Sequence, residues 1–288
     1  MSNLTVLAPC KLNLFLYITG KRADGYHNLQ TLFTLLDFGD EMSFTLTDRP
    51  GELNLKGAFN FPPEHNTIIK GLKLLQARAD ELHLPIKHGI TIEVAKRIPQ
   101  GGGLGGGSSD AAAALLCANH LWQLNLPLNE LAAIGLKVGA DVPIFIYGRP
   151  AFATGVGEKL TAIDLPERWY IVAAPEHCQV NTAKAFADPL LKRDSKERSL
   201  EELMKLPFEN DFTLSVAKSH PEIGQLLALL VKYAPAHLSG SGACCFVAFD
   251  DETTAQSALQ EIAAQHRGPL FLARSLNRSP VHATLLTL

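Results

Sequence analysis

An α+β fold is what this 288-residue sequence predicts. Three observations carry that reading. Some stretches alternate apolar and polar residues as strands do, others space apolar residues as helices do, and the two are mixed without the regular rhythm that builds a doubly wound sheet. Hydrophobic residues make up 47% of the chain and charged ones 19%, a balance that supports a sizeable core.

The elements follow in order. Residues 6–18 read as a strand, with Lys11, Asn13 and Phe15 on one face and Leu12, Leu14 and Leu16 on the other. Residues 22–27 are a polar loop turning at Asp24-Gly25, and 41–46 and 53–55 are short strands. Ile68, Leu72, Leu75, Ala79 and Leu82 recur at helical spacing behind the capping candidates Asn66 and Thr67. Residues 88–94 alternate again, pointing Ile90, Ile92 and Val94 one way. After Pro99 and a glycine run, the alanine and leucine content of 110–122 favours helix, and 128–138 is a second helix. Behind Pro143, residues 144–147 read as a strand. The texture changes beyond Gly155: a strand at 169–174, a charge-rich helical surface at 188–202, a helix at 223–233, a buried strand at 244–249, a helix at 254–264, and closing strands at 270–273 and 282–286. A soft domain boundary falls at 148–157.

The charge balance disfavours some functions. Lys plus Arg number 26 and Asp plus Glu 29, a net charge of −3, so the sequence lacks the basic excess of a nucleic-acid binder. No run is apolar enough for a membrane span, and the first residues do not read as a signal peptide. Five cysteines without Cys-x-x-Cys spacing fit a reducing cytoplasm. The ten histidines show no metal-type clustering, so no structural zinc is expected.

Glycine occupies six of the seven positions from Gly101 to Gly107, and Ser108, Ser109 and Asp110 then open a helix. Missing side chains let backbone N–H groups approach an anion, and the partial positive charge of a helix N-terminus favours phosphate there. A flexible linker would rarely run straight into a good helix start. Gly101, Gly103 and Gly106 satisfy the dinucleotide pattern G-x-G-x-x-G, but Pro99 and Gln100 precede them and no second strand ending in an acid follows about twenty residues on. There is no G-x-x-x-x-G-K-[ST] P-loop. Read alone, the segment indicates a phosphate-binding α+β protein.

The run Ile98-Pro99-Gln100-Gly101-Gly102-Gly103-Leu104-Gly105-Gly106-Gly107-Ser108-Ser109 resembles the phosphate-binding motif of the galactokinase, homoserine kinase, mevalonate kinase and phosphomevalonate kinase (GHMP) superfamily. Pro9-Cys10-Lys11-Leu12-Asn13-Leu14 and Leu238-Ser239-Gly240-Ser241-Gly242-Ala243 are similar to its other two motifs, in the same order along nearly the whole chain. A narrower resemblance is carried by residues 22–31, Arg22-Ala23-Asp24-Gly25-Tyr26-His27-Asn28-Leu29-Gln30-Thr31, and by Gly139-Ala140-Asp141-Val142-Pro143. These are similar to the branch of the superfamily whose acceptor alcohol carries a cytidine diphosphate group.

The resemblance implies a two-domain α+β fold with the active site in the interdomain cleft. Residues 1–155 would form a nucleotide-binding domain and 156–269 a substrate-binding domain, with the closing strands, about 270–288, able to return to the first. It implies an ATP-dependent kinase of a small molecule, with magnesium (Mg2+) accompanying ATP, and with no nucleic-acid or membrane partner. Asp141 would handle the acceptor's proton with Lys11 beside it. Tyr26 and Phe186 would sandwich the cytosine, His27 would read its polar edge, and Asn13 and Thr182 would contact the substrate's polar parts. Asn66 and Lys96 would lie near adenine, with Pro99 and the segment from Gly101 to Ser109 on the phosphates and Ser109 the one magnesium candidate. Ser239, Gly240, Ser241 and Gly242 would meet the substrate diphosphate or the transferred group.

On the residues alone, plainer roles stay open. Asp141 is also a turn or cap residue before Pro143, Lys11 a lysine at a strand edge, Phe186 a core residue, Asn66 a helix cap and the late loop a tight turn. Another kinase of the superfamily, acting on mevalonate, homoserine or a sugar, is the nearest alternative. A non-catalytic nucleotide-binding regulator is the other, and retention of both Lys11 and Asp141 counts against it. Oligomeric state leaves no mark on this sequence.

Overall fold

The computed structural model describes residues 3–59, 62 and 65–288. In chain order the elements are β1 (Asn3–Lys21), β2 (His27–Thr47), β3 (Leu53–Gly57), α1 (Thr67–Glu81), β4 (Gly89–Ala95), α2 (Gly106–Leu121), α3 (Leu128–Val138), α4 (Val142–Tyr147), β5 (Ala151–Thr154), β6 (Lys159–Ala162) and β7 (Trp169–Ala173). Then follow α5 (Thr182–Ala187), α6 (Leu200–Leu203), α7 (Thr213–Ser219), α8 (Pro221–Leu230), β8 (His237–Leu238), β9 (Cys245–Phe249), α9 (Glu252–Gln265), β10 (Leu270–Leu276) and α10 (Pro280–Leu285).

One mixed sheet runs β3-β4-β2-β10-β7-β9-β8, with β1 and β5 also paired to β2. Its hinge is β10: Leu270 to Arg274 pair with β7, while Ser275 and Leu276 pair with Leu36 and Leu35 of β2. One core lies between β1, β2 and β4 and helices α1 to α4, around Phe44, Ile92, Leu72, Leu115 and Ile144. A second lies between β7 and β9 and helices α7 to α9, around Ile171, Val247, Phe212, Ile223 and Ile262. A third, including Phe15, Leu32, Leu104, Tyr170 and Phe246, joins them. Each such side chain, fully buried, contributes roughly 1.5–3 kcal/mol.

Helix α2 is buried continuously from Ser109 to Ala118. Its alanines let α1, α4 and the sheet approach closely, and within that span no face meets water. Asn66 caps α1, its side chain accepting from the Ile68 N–H at 2.9 Å.

Several expectations are corrected. The face assignment along β1 fails after Asn13, because the pairing register with β2 shifts between Asn13 and Phe15. The extra residue, Leu14, is a β-bulge, which reverses the alternation beyond it. Phe15 therefore joins Leu12 and Leu14 in the third core, and Leu16 takes the face that Lys11 and Asn13 occupy. The strand expected at 41–46 is the end of the far longer β2.

The expected strand at 144–147 is helix α4, with Pro143 in its first turn and Gly148 ending it at a φ of 64°. A short buried apolar run has no periodicity that separates the two states. The closing strand expected at 282–286 is helix α10, again opened by a proline. The charge-rich stretch 188–202 is helical only at α6. Arg193 holds its irregular course by donating to the carbonyls of Leu191, Phe186 and Asp188, and Ser195 donates to Asp211. Helix α2 starts at Gly106, inside the glycine run. Helices α5 and α7 and strands β5, β6 and β8 were not anticipated.

Candidate active site

Two cavities open on either side of the glycine segment. One, of about 660 Å³, is lined by Lys11, Asn13, Leu16, Tyr26, His27, Thr31, Phe33, Thr182, Phe186, Phe212, Gly240 and Ser241 among others. The second, of about 470 Å³, is lined by Asn66, Thr67, Lys96, Pro99, Gln179 and the whole segment from Gly101 to Ser108. Gly103, Ser108, Asp141 and Thr182 line both, and Asp141 brings the one carboxylate common to the two.

The second cavity is shaped for an anion. Gly105 occupies the N-cap position of α2 at a φ of 74° and supplies no capping side chain. The N–H groups of the first turn are left to a ligand, at the positive end of a 16-residue helix. The segment is pinned from behind by the late loop. Ala243 N–H donates to the Gly101 carbonyl at 3.3 Å, Cys244 N–H to Gly102 at 3.0 Å, and the Ser239 hydroxyl to Gly103 at 3.1 Å. Contact is so close that a Cβ on Gly103, whose φ is 75°, would stand 2.1 Å from the Ser239 carbonyl oxygen. Strand β1 is stitched in by Lys11 N–H donating to the Leu104 carbonyl at 3.0 Å, with the Leu104 side chain in the core. From the side, Gln179 packs on Gly101.

At the junction the Lys11 ammonium lies 3.3 Å from the Asp141 carboxylate. It also donates to Asn13 Oδ1 and sits 5.3 Å from the centre of the Phe33 ring. The lysine side chain is 3% exposed and the aspartate 37%, so the cation is fixed and the carboxylate faces the cavity. Asp141 stands at the N-cap of α4 but makes no capping hydrogen bond. The Asn13 amide is spent within the protein, accepting from Lys11 and donating to Thr31 at 2.8 Å, and Thr31 donates in turn to the Phe15 carbonyl at 2.6 Å. Asn13 thus orients Lys11.

The far wall is aromatic. His27 stacks on Phe186 with ring centres 4.9 Å apart and planes at 17°, and Phe186 meets Phe212 edge-on. His27 Nε2 is buried without a hydrogen-bond partner, and burial, helped by Arg193 and Lys21, holds the imidazole below its ordinary pKa and so neutral at pH 7. Tyr26 is 63% exposed at the rim. Thr182 and Ser241 hydroxyls meet at 2.9 Å, joining α5 to the late loop. Asn210 anchors that loop through the carbonyls of Leu238 and Gly240, both at 2.8 Å.

Besides Asn13, expected to contact substrate, three predicted residues are wholly or partly employed within the protein. The Ser109 hydroxyl is buried and donates to the Pro9 carbonyl at 2.6 Å, tying α2 to β1 and turning it away from both cavities. It does not fit a magnesium ligand. Lys96 lines the second cavity, but its ammonium is committed to Asp40 and Asp110. Burial works against that charge, and the carboxylates outweigh it, holding Lys96 above its ordinary pKa. Burial pushes Asp110 up to about 7 against the pull of Lys96. Asn66 is partly spent on capping α1.

Thr31, Phe33, Gln179, Asn210 and Phe212 are the site residues that the sequence did not single out. Thr31 stood at the end of the quoted 22–31 run; for the others no local signal exists, because long-range packing delivers them.

Two family models match the chain: GHMP kinases N terminal domain over residues 66–149, and GHMP kinases C terminal over residues 189–268. The chain belongs to the GHMP kinase family. It is an ATP-dependent kinase with the two-domain GHMP fold, and ATP is the phosphoryl donor of this family. Among solved structures, a 4-(cytidine 5'-diphospho)-2C-methyl-D-erythritol kinase is similar at 28% identity and a TM-score of 0.79, covering 94% of this chain and 99% of its own. An L. major mevalonate kinase in complex with R-mevalonate is similar at 15% identity and a TM-score of 0.65, covering 96% and 97%. A homoserine kinase from Cytophaga hutchinsonii is similar at 17% and 0.64, covering 98% and 96%. The last two likenesses carry the fold alone. Among the described residues no helix is long and apolar enough to cross a membrane.

The tight contact of this GHMP kinase's two glycine loops generates one prediction. Gly103→Ala forces the loops apart and is expected to weaken ATP binding at least about tenfold, since a strained positive φ and a backbone overlap each cost on the order of 1–3 kcal/mol. Titration with a fluorescent ATP analogue measures it, beside a thermal unfolding scan that registers a lowered midpoint.

Proposed function

We propose that this chain phosphorylates the 2-hydroxyl of 4-diphosphocytidyl-2-C-methyl-D-erythritol with ATP, a step of the non-mevalonate (MEP) isoprenoid precursor pathway. The observation that carries the reading is the aromatic wall of Tyr26, His27 and Phe186 in the cavity that shares Asp141 with the glycine segment. A nucleobase offers flat faces to stack and a polar edge to read, which mevalonate, homoserine and sugars do not. The likeness at 28% identity to a 4-(cytidine 5'-diphospho)-2C-methyl-D-erythritol kinase supports it.

In this reading the nucleotide lies in the second cavity, near Asn66 and Lys96, with its phosphates on the α2 N-terminus. Residues 1–155 supply that cradle and the Lys11–Asp141 pair, and 156–269 supply Thr182, Phe186 and the segment from Ser239 to Gly242. The neutral His27, with its unpaired Nε2, reads the base edge, and Tyr26 closes over the base from the rim.

Phosphoryl transfer demands positioning and charge stabilisation more than covalent chemistry from the protein. Asp141 accepts the acceptor hydroxyl's proton or orients it, facing the cavity where the two volumes meet. Lys11, oriented by Asn13, stabilises that carboxylate and the charge developing on the transferred group. Ser108, whose side chain lines both cavities, would meet Mg2+, which when bound with ATP offsets charge on the β- and γ-phosphates.

Three measurements test this. A coupled ADP-release assay offering diphosphocytidyl-methylerythritol, mevalonate, homoserine and galactose in parallel is expected to show turnover with the first alone. Turnover confined to the other three overturns the substrate assignment. Asp141→Asn is expected to lower kcat at least about a hundredfold while ATP affinity stays nearly intact. Near-normal turnover removes Asp141 from the mechanism. Tyr26→Ala is expected to raise the acceptor KM well above any change in the ATP KM, and equal changes in both speak against base stacking.

A further inference from the structure

Away from both cavities, the turn before α5 meets the corner between α7 and α8. Cys178 lies on that turn, reached through His177 at a φ of 57°. His220 is the residue between α7 and α8, and Pro221 opens α8, which puts Glu222 in its first turn. Cys178 Sγ stands 4.0 Å from His220 Nδ1, and His220 Nδ1 stands 3.5 Å from Glu222 Oε1. One ligand atom from each residue lies within 4.8 Å of the other two.

We propose that Cys178, His220 and Glu222 bind a single Zn2+ ion. A tetrahedral zinc ion holds sulfur at about 2.3 Å and nitrogen and oxygen at about 2.0–2.2 Å, so its ligand atoms stand roughly 3.4–3.6 Å apart. His220 Nδ1 already stands near that spacing from both partner atoms, and side-chain rotations bring Cys178 Sγ and the Glu222 carboxylate to it. Thiolate, imidazole and carboxylate together suit a borderline-soft cation such as zinc and ill suit magnesium or calcium, which prefer oxygen alone. Glu222 is exposed, so the fourth position is open to water and the ion is exchangeable. Burial and the Glu222 carboxylate push the Cys178 thiol up to about 11, so the thiol is protonated without an ion. On binding, the S–H proton leaves to solvent and the thiolate bonds the metal.

The site joins segments that matter elsewhere. Gln179, next to Cys178, packs on Gly101, and Thr182 and Phe186 follow on α5. An ion here ties that segment to α8 independently of which acceptor the kinase uses.

Cys178 is the one cysteine that is not fully buried, so any solution thiol signal reports it. The test uses the full chain freed of metal. Titration with Zn2+ against a chromophoric chelator is expected to give one ion per chain, and Co2+ to give a near-ultraviolet thiolate-to-cobalt absorption. Bound Zn2+ is expected to slow alkylation of Cys178 at least tenfold. Cys178→Ser is expected to abolish the cobalt–thiolate band, and Cys178→Ser, His220→Asn and Glu222→Gln each to weaken Zn2+ at least tenfold. Thermal unfolding of the metal-free variants, with midpoints near that of the parent chain, shows that they fold. Absence of the cobalt–thiolate band, or variants that bind Zn2+ as the parent chain does, overturns the proposal.

Discussion

Between Gly101 and Gly103 the backbone is pressed against the loop from Ser239 to Cys244 by three hydrogen bonds, two from backbone N–H groups and one from the Ser239 hydroxyl. The two loops come from sequence positions more than a hundred residues apart, as the 136-residue separation of Ser239 and Gly103 records. Their contact joins the sheet half built on β2 and β4 to the half built on β7 and β9. It also aims the α2 N-terminus into one cavity while Gly240 and Ser241 line the other. Strand β1 is held against the same segment through Lys11 and Ser109. Glycine is required here by backbone proximity as much as by conformational freedom.

Two lysine–aspartate clusters flank this contact, and their surroundings separate their roles. Lys96 with Asp40 and Asp110 is nearly sealed: Asp40 is fully buried and also accepts from the Arg97 and Ile98 N–H groups. Removing one partner of such a cluster typically costs about 3–5 kcal/mol, because a charge is left buried and unpaired. That makes it a brace for the entry to the glycine run. Lys11 with Asp141 differs in one respect: the lysine is buried and oriented, and the carboxylate faces open space. A carboxylate so placed can exchange a proton with a ligand, which is why the proposed chemistry rests on this pair. The separation of roles depends on solvent access, a property that neither lysine carries in its local sequence.

Much of the site was legible from local chemistry. The glycine run, the helix after it, and the Asn66 cap follow from propensity and capping over a few residues. Lys11, Tyr26, His27, Asp141, Phe186 and Ser241, which the family resemblance named, line one cavity. The errors have physical sources. Alternation along β1 was extrapolated through Leu14, where a bulge reverses it, so Phe15 and Leu16 exchanged faces. Residues 144–147 are apolar and buried in either state, and only the proline and glycine at their ends marked a helix. The charged stretch 188–202 looked like a solvated helix, yet Arg193 uses its guanidinium on backbone carbonyls and keeps the chain irregular. Ser109 looked like a hydroxyl at a helix start, but its place on the helix turns it inward to Pro9.

What the sequence determined by itself was the set of local preferences: where helices cap, where the backbone lacks side chains, and which residue types can hold phosphate or move a proton. These depend on neighbours a few positions away. The tertiary structure alone decided which groups meet. It brought Asp141 to Lys11, Asn13 to Thr31, and Thr182 to Ser241, and it set Cys178 beside His220 across 42 positions, where spacing had shown no metal pattern. Such meetings follow from how three cores pack on one sheet, and packing depends on contacts between residues far apart in the chain, which local periodicity does not record.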